Sequence, residues 1–537
     1  MQRLMSALLT VLCLLAATVS VAATINVPAD YAQIHDAVQA ASAGDVVLVA
    51  SGTYTDCTHE TEGPGTTLAC VVMKSGVILR GSGQGNTIID AQSLGRGIFA
   101  EGLTGGAIEN IQVRNAYAAV FGAGILIRDV PRGFEITDVT VQDCTDGGII
   151  LINGAHATLR NVSALNNEAK QGGGMAIEEG SHPLVLNCTI MGNQAPSGAG
   201  IFIRANSDAI LSGCSITGND INSPFGQGAG IFIGESSPII SNCDISSNDS
   251  RGNGGGVAYQ LGSGGRLENC TITNNAVIDD YMYGAGVAVD SSDPVIEGCL
   301  IASNSCVGVA SDGAGVSTIF SPAPTFTRCT ITGNTTSAGG SAGGAFVQFF
   351  SNPIFDKCII SSATVGAAMV CSSGTPTVQC SNVWGNDGGD ALCGTDGGGN
   401  ISLDPQFCGP GDYRLGSGSP CLNVCGEAIG AYPVGCTNTG VGDTPSAVQL
   451  LGNYPNPFNP ATTIVFSLDV STEASVRIAD VSGRIVTTLT LGKLPAGRHE
   501  AVWNGRNDAG HPVASGVYLY ELQALGTSHT RRMILVK

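Results

Sequence analysis

The chain has 537 residues, 43% of them hydrophobic, only 12% charged and 5% aromatic, with 76 glycines and 19 cysteines. That length exceeds one compact core, although a solenoid can use it in a single elongated body. The formal net charge of −20 argues against a nucleic-acid partner and against an anionic membrane surface. Residues 1–23 have the layout of a secretory signal peptide: Arg3, an apolar core from Leu8 to Ala17, and small residues at Val21 and Ala23. The core is short for a bilayer span and no later segment reads as transmembrane, so the expectation is an exported protein, secreted or held at the cell surface.

Thr24–Val27 reads as a first strand. Pro28-Ala29-Asp30 opens a short helix, with Asp30 and Gln33 at capping-box spacing, Ile34, Ala37, Val38 and Ala41 on one face, and Gly44 as its end. Such a helix would cap the open end of a β-solenoid, which otherwise exposes apolar core and unpaired backbone. Strand signals follow at Asp45–Val49, Val77–Gly81 and Thr87–Asp90. The run TINVPADYAQIHDAVQAASAGDVVLVASGTYTD, followed by GVILRGSGQGNTIIDA, resembles the start of pectin-lyase-like β-helix proteins. That superfamily includes pectate lyases, polygalacturonases, pectin methylesterases and many non-catalytic surface proteins. The resemblance extends over residues 24–436 and implies fold and export, and chemistry only weakly.

From Pro183 to Cys380 one phrase repeats: Cys188-Thr189-Ile190, Cys214-Ser215-Ile216, Cys243-Asp244-Ile245, Cys270-Thr271-Ile272, Cys299-Leu300-Ile301, Cys329-Thr330-Ile331 and Cys358-Ile359-Ile360. The steps are 26, 29, 27, 29, 30 and 29 residues, a period that signals a solenoid. A proline stands five residues before most of these cysteines and an asparagine five after (Asn193, Asn219, Asn248, Asn275, Asn304, Asn334). Within each repeat the apolar period is two, over three or four residues, with no room for an amphipathic helix. Three short strands per ~28 residues describe an all-β, right-handed parallel β-helix whose coils rise about 4.8 Å each. Equivalent residues then stack into columns. The asparagines are expected to take the left-handed backbone of a corner and to bond amide to amide along their column. Phe202 and Phe232 fall in one outward column, expected to pack beneath loops.

Asn400–Tyr432 reads as the last coil and residues 437–449 as a polar linker. From Thr444 onward there are eight Lys/Arg against six Asp/Glu, so the preceding chain carries all of the acidic excess. Over residues 450–537 at least five short alternating strands, separated by Gly-containing turns, suggest a small Ig-like β-sandwich. GNYPNPFNPATTIVFSL, DVSGRIV, AGRHEAVWNGRNDAG and VASGVYLYEL resemble the FlgD-like immunoglobulin-type domain and the type A C-terminal sorting domain of exported bacterial proteins. The resemblance implies a terminal module read by an outer-membrane type IX secretion apparatus.

After the signal, export makes cysteine pairing expected. Cys57 and Cys70 flank a polar insertion and are read as a pair. Cys371/Cys380, Cys393/Cys408 and the group Cys421, Cys425 and Cys436 are further candidates whose connectivity stays open. The repeat cysteines point the same way in successive coils, which suits buried hydrophobes rather than disulfides or a tetrahedral metal site. No cofactor is assigned; the acidic loops would tolerate Ca²⁺, but none has calcium-loop spacing. The Gly-His-Gly of polygalacturonases and the Arg-x-Pro-x-x-Arg of pectate lyases are missing, and the segments that would follow a pectin methylesterase opening are absent. Glu268 and Glu297, on adjacent coils, are weak catalytic candidates because paired carboxylates about 5–5.5 Å apart serve retaining glycosidases. The loop Asp279-Asp280-Tyr281-Met282-Tyr283 is the candidate ligand contact, since tyrosines beside acids suit sugars. These readings favour a surface β-helix that binds a polysaccharide or another surface ligand without turnover. The alternative is a polysaccharide lyase or glycoside hydrolase.

Overall fold

The computed structural model describes residues 22–61, 67–118, 123–224, 226–337, 340–436, 448–454, 458, 460–468, 471–480, 484–495, 497–525 and 527–535. The signal-peptide reading, except residues 22–23, and most of the linker reading fall outside them. The chain forms two compact units, Met1–Cys436 and Thr437–Lys537.

The first unit is a parallel β-solenoid. Each coil adds one strand to each of three sheets of 15, 13 and 13 strands, here A, B and C. In one coil these are Leu184–Leu186, Thr189–Met191 and Ile201–Arg204. Among the described residues the strands that successive coils add to sheets A, B and C pair in parallel, and one antiparallel hairpin (His59–Thr61 with Thr67–Val72) joins sheet C near its start. A fourth ladder of six two-residue strands, from Gln194–Ala195 to Thr335–Thr336, lies between B and C and adds to the three strands per coil expected from the repeat.

Register follows the repeat. Ile190 pairs Ile216, which pairs Ile245, then Ile272, Ile301, Ile331 and Ile360, all inside the core. The seven repeat cysteines are buried and free. Each Sγ faces the carbonyl two residues back, at 3.4 Å from Leu186 for Cys188. Burial pushes the Cys299 and Cys358 thiols well above their usual range, which makes them poor nucleophiles.

The asparagines form the predicted amide ladder. Asn193 N and Nδ2 donate to Asn219 Oδ1 at 3.0 and 2.9 Å, Asn219 donates likewise to Asn248, and Asn248 to Asn275. Each Nδ2 also reaches a carbonyl of the coil before, as Asn248 to Ile216 O at 3.0 Å. The ladder starts one coil earlier than the repeat suggested, at Asn167. A related cap recurs at Asn386, whose N and Nδ2 both donate to Asp390 Oδ1 at 2.9 and 2.7 Å. The left-handed backbone, however, belongs to other positions: the residue before each cysteine (Asn187, Asn242, Asn269) and the residue before each ladder asparagine (Gly192, Gly218, Ser247, Asn274). The ladder residues are buried and aim their amides along the stack, so the corner's conformational demand moves to their neighbours. Gly230 shows how close the backbone comes: a Cβ there would lie 2.4 Å from Gly256 O and 3.0 Å from Asn248 Nδ2. Opposite, at the turn from C to A, buried serines form a second ladder. Ser181 N donates to Ser207 Oγ at 3.2 Å, Ser207 N to Ser236 Oγ at 3.0 Å, and Ser263 N to Ser292 Oγ at 3.1 Å.

At the N-terminal end the helix spans Ile34–Ala40 and buries Ile34, Ala37 and Val38. It has no capping box: Gln33 is the N-cap and makes no side-chain cap bond, while Asp30 Oδ2 accepts from Asn26 N at 2.7 Å and closes the preceding turn. The helix stops at Ala40 rather than at Gly44, which instead turns the chain with φ +94°. At the other end residues 420–432 fold back over the outer face of sheet B. Ala431 N donates to Thr330 Oγ1 at 2.9 Å, Gly430 N to Lys357 O at 2.9 Å, and Ile359 is buried beneath them.

Four disulfides are present: Cys57–Cys70, Cys371–Cys393, Cys380–Cys425 and Cys408–Cys436. The candidate pairs Cys371/Cys380 and Cys393/Cys408 are not formed. Cys371 lies on the last strand of sheet C and Cys380 at the turn after sheet A, so each reaches a different covering segment. Cys408 and Cys436 meet in a three-stranded end sheet, and Cys421 is buried and free.

The second unit has a three-stranded sheet (Val448–Tyr454, Thr462–Leu468, Gly497–Trp503) and a four-stranded sheet (Ile485–Leu494, Thr472–Asp480, Gly516–Ala524, Thr527–Leu535). Its core includes Phe466, Ile478, Trp503, Tyr520 and Met533. The first strand takes Val448 and Gln449, which the sequence placed in the linker.

Candidate functional site

Each coil leaves sheet C through a turn whose first residue is left-handed: Glu235, Leu261, Ser291, Phe320, Phe349 and Ser373 all have φ between 43° and 64°. The serine ladder that follows pins the turn, with Ser351 Oγ donating to Ser321 O at 3.0 Å. Phe320, Phe349 and Phe350 therefore project from a fixed ridge. They are 52%, 45% and 76% exposed, and the Phe320 and Phe349 rings stack at 5.2 Å and 17°. Backbone bonds from Phe349 N to Ser372 O (3.0 Å) and Phe350 N to Ser373 O (2.9 Å) hold two consecutive phenylalanines left-handed. Such a backbone costs a bulky residue about 1–3 kcal/mol, and Phe350, the most exposed of the three, regains least of it by burial.

Polar groups lie on the same turns as the rings and on the coils next to them. Asp290 precedes the turn one coil down, in register with Ile319, and accepts from Ser291 Oγ at 2.9 Å. Asp293 Oδ1 accepts from Ala323 N at 2.7 Å. On the other side Asn352 Nδ2 donates to Phe350 O at 3.3 Å and Asn352 Oδ1 accepts from Thr375 Oγ1. Stacked aromatic faces edged by fixed acceptors and amides match the two sides of a pyranose, an apolar C–H face and a rim of hydroxyls.

The residues singled out in the sequence lie elsewhere. Glu268 and Glu297 are register partners on the outer face of sheet A, and Arg266 joins them, bonded to Glu268 Oε1 and, at 3.0 Å, to Glu297 Oε2. The pair is an ion-paired surface triad. In the loop at 279–283 the members separate. Asp279 pairs with Arg251 at 3.5 Å, Asp280 Oδ1 accepts from Val309 N at 2.7 Å, and Tyr283 packs on Phe346 at 5.5 Å. Tyr281 stays 64% exposed, beside the exposed Val309, to whose carbonyl its N–H donates at 3.0 Å. Phe202 and Phe232 stack at 5.0 Å and are buried with Ala258.

The phenylalanine ridge was missed because no residue type marks the turn: the position holds Leu261, Ser291, Phe320 and Phe349. The available signal was the step of 29 from Phe320 to Phe349, equal to the coil period. Among the described residues no three His, Cys, Asp or Glu side chains gather as a metal site, and no helix is long and apolar enough to cross a membrane.

Comparison with known proteins follows the division into two units. The FlgD Ig-like domain model matches residues 459–528. Over 17% of this chain, FlgD from P. aeruginosa is 21% identical (TM-score 0.13, 67% of that chain covered). Latent PorU from Porphyromonas gingivalis is 23% identical over the same share (TM-score 0.15), and only 9% of its length is covered. The A-module of the mannuronan C-5 epimerase AlgE6 from Azotobacter vinelandii is 17% identical, covering 69% of this chain and 93% of its own, with a TM-score of 0.41. No curated protein matches the chain. The right-handed beta helix region model matches residues 75–226 and 212–348, together just over half of the sequence, and the chain belongs to that family.

Proposed function

We propose that this protein is an exported, surface-displayed β-helix that binds a polysaccharide along the ridge at Phe320, Phe349 and Phe350. The observation that carries the reading is the stacked, exposed, left-handed pair Phe320 and Phe349, with Phe350 beside it. Rigid aromatic faces bind without an ordering penalty on the protein side, so strain built into the fold serves recognition. The four disulfides suit an oxidising compartment. The Ig-like unit supplies the secretion or anchoring module, read by an outer-membrane export apparatus. A glycan array tests binding. Retention without new reducing ends or unsaturated products is expected, falling about tenfold for Phe320→Ala or Phe349→Ala, near 1.4 kcal/mol. Turnover that disappears in Glu268→Gln or Glu297→Gln would replace this reading with the hydrolase or lyase alternative. Deleting residues 450–537 is expected to leave a folded solenoid in the periplasm, and normal surface delivery of that truncation would refute the sorting role.

A further inference from the structure

We infer that the ridge selects glycans without carboxylate or sulfate groups, that is, neutral or amine-bearing polysaccharides; this rests on the glycan reading above. Residues 205–380, which build the ridge and the coils around it, contain four basic residues and thirteen acidic ones. All four cations are already held by carboxylates. Arg251 pairs with Asp279, Arg266 with Glu268 and Glu297, and Arg328 and Lys357 both with Glu427. A polyuronate or sulfated chain laid on the phenylalanines would meet no free guanidinium or ammonium, and recognition of such anions normally depends on those groups.

The ridge offers the opposite charge. Asp290, in register with Ile319, and Asp293, bonded to Ala323 N, stand in the coil before Phe320, and each gives one oxygen to a local hydrogen bond. Their second oxygens have no protein partner among the described residues and face solvent as acceptors. A carboxylate accepts from a sugar hydroxyl or ammonium in a charge-assisted bond and repels a carboxylate. Asn352, on the far side of the rings, adds an uncharged donor. Neutral hydroxyls satisfy all three groups, an amine adds attraction, and an acid sugar opposes two of them.

The test is direct binding of the full chain to three immobilised polymers: a neutral β-glucan or mannan, chitosan, and alginate or polygalacturonate, at 50 and 300 mM NaCl. The expected result is retention of the neutral polymer at both salt concentrations, salt-weakened retention of chitosan, and none of the polyuronates. Asp290→Asn with Asp293→Asn keeps the local acceptor oxygens. It is expected to weaken chitosan at least threefold more than it weakens the neutral polymer, with the melting temperature unchanged. Polyuronate binding as tight as neutral binding, and lost in Phe320→Ala, would overturn the charge selectivity and leave the ridge as the site. Absence of binding to any polymer, or binding indifferent to the phenylalanines, would overturn both.

Discussion

Asn248→Ala tests whether the amide ladder holds the stack together. The native side chain accepts from Asn219 N (3.0 Å) and Asn219 Nδ2 (2.9 Å), and donates to Ile216 O (3.0 Å) and Asn275 Oδ1 (2.9 Å). In the variant Asn219 Nδ2 keeps Ile190 O, and Asn275 Oδ1 keeps the backbone N of residue 248. The Asn219 N–H is left buried without a partner, whereas the Ile216 carbonyl stays in the parallel ladder with the Asp244–Ser246 strand. At about 1–3 kcal/mol for one orphaned group, the expected destabilisation is centred near 2 kcal/mol. Because a solenoid couples nearest neighbours most strongly, the loss should be local. Hydrogen exchange at Asn219 and in the coils spanning 211–277 should accelerate by about one to two orders of magnitude, with the N-terminal coils near 80–115 unchanged. Protection at Asn219 within about twofold of wild type would show that the ladder is incidental to the stack.

Tyr259 lies wholly in the core with its hydroxyl unpartnered, so Tyr259→Phe is expected to stabilise the solenoid by about 1–3 kcal/mol in urea unfolding, and a lower midpoint would contradict the orphaned-hydroxyl assignment. At the N-terminal end His35 Nδ1 accepts from Val72 N at 3.2 Å and its ring stacks on His59 at 3.6 Å. Burial, then His59, hold its pKa below the usual histidine value, with Asp36 and Asp56 opposing. Its contribution to stability is therefore complete above pH 6.5 and declines as pH falls through 6.5 toward the lower folded value. Proteolysis of the Ile34–Ala40 helix should rise between pH 7.5 and 5, and His35→Asn, which keeps an acceptor, should flatten that profile. A response unchanged by the substitution would assign it to another group. The Cys380–Cys425 bridge closes 45 residues, for which chain entropy gives about 4 kcal/mol. Replacing both cysteines by serine should release 420–432 first, read as exchange at Ala431 and at Gly430, and unchanged protection there would show that packing on Ile359 suffices.

What the sequence revealed followed the repeat. Cys188 and Ile190 fixed the period, the inward columns and the register, because one residue type recurs where steric demand is uniform. Asn193 and its equivalents disclosed an amide ladder for the same reason. The left-handed corners eluded that logic, since Asn187, Gly213, Arg328 and Lys357 share a backbone conformation but no chemistry. The serine ladder was overlooked although Ser207, Ser236 and Ser263 keep a constant offset of seven before the cysteines, because serine is common in every loop here. At the candidate site, Glu268 and Glu297 were correctly placed on adjacent coils, but Arg266 stands two residues earlier on the strand and its reach to both carboxylates depends on three-dimensional register. Disulfide partners likewise depend on which sheet each cysteine joins.

The amide ladder also has a polarity. From Asn167 to Asn304 each backbone N–H donates forward, from one coil to the side chain of the next, so each of these turns is completed by residues synthesised after it. A chain leaving the ribosome N-terminus first would carry one unsatisfied amide at its growing tip, quenched only when the following turn docks. The amide column pauses at Ala363, whose N–H donates to Asn386 Oδ1, and Asp390 then offers Asn386 both bonds without requiring another turn, which ends the column. Removing that carboxylate should leave the last turn frayed and sticky toward other strand edges.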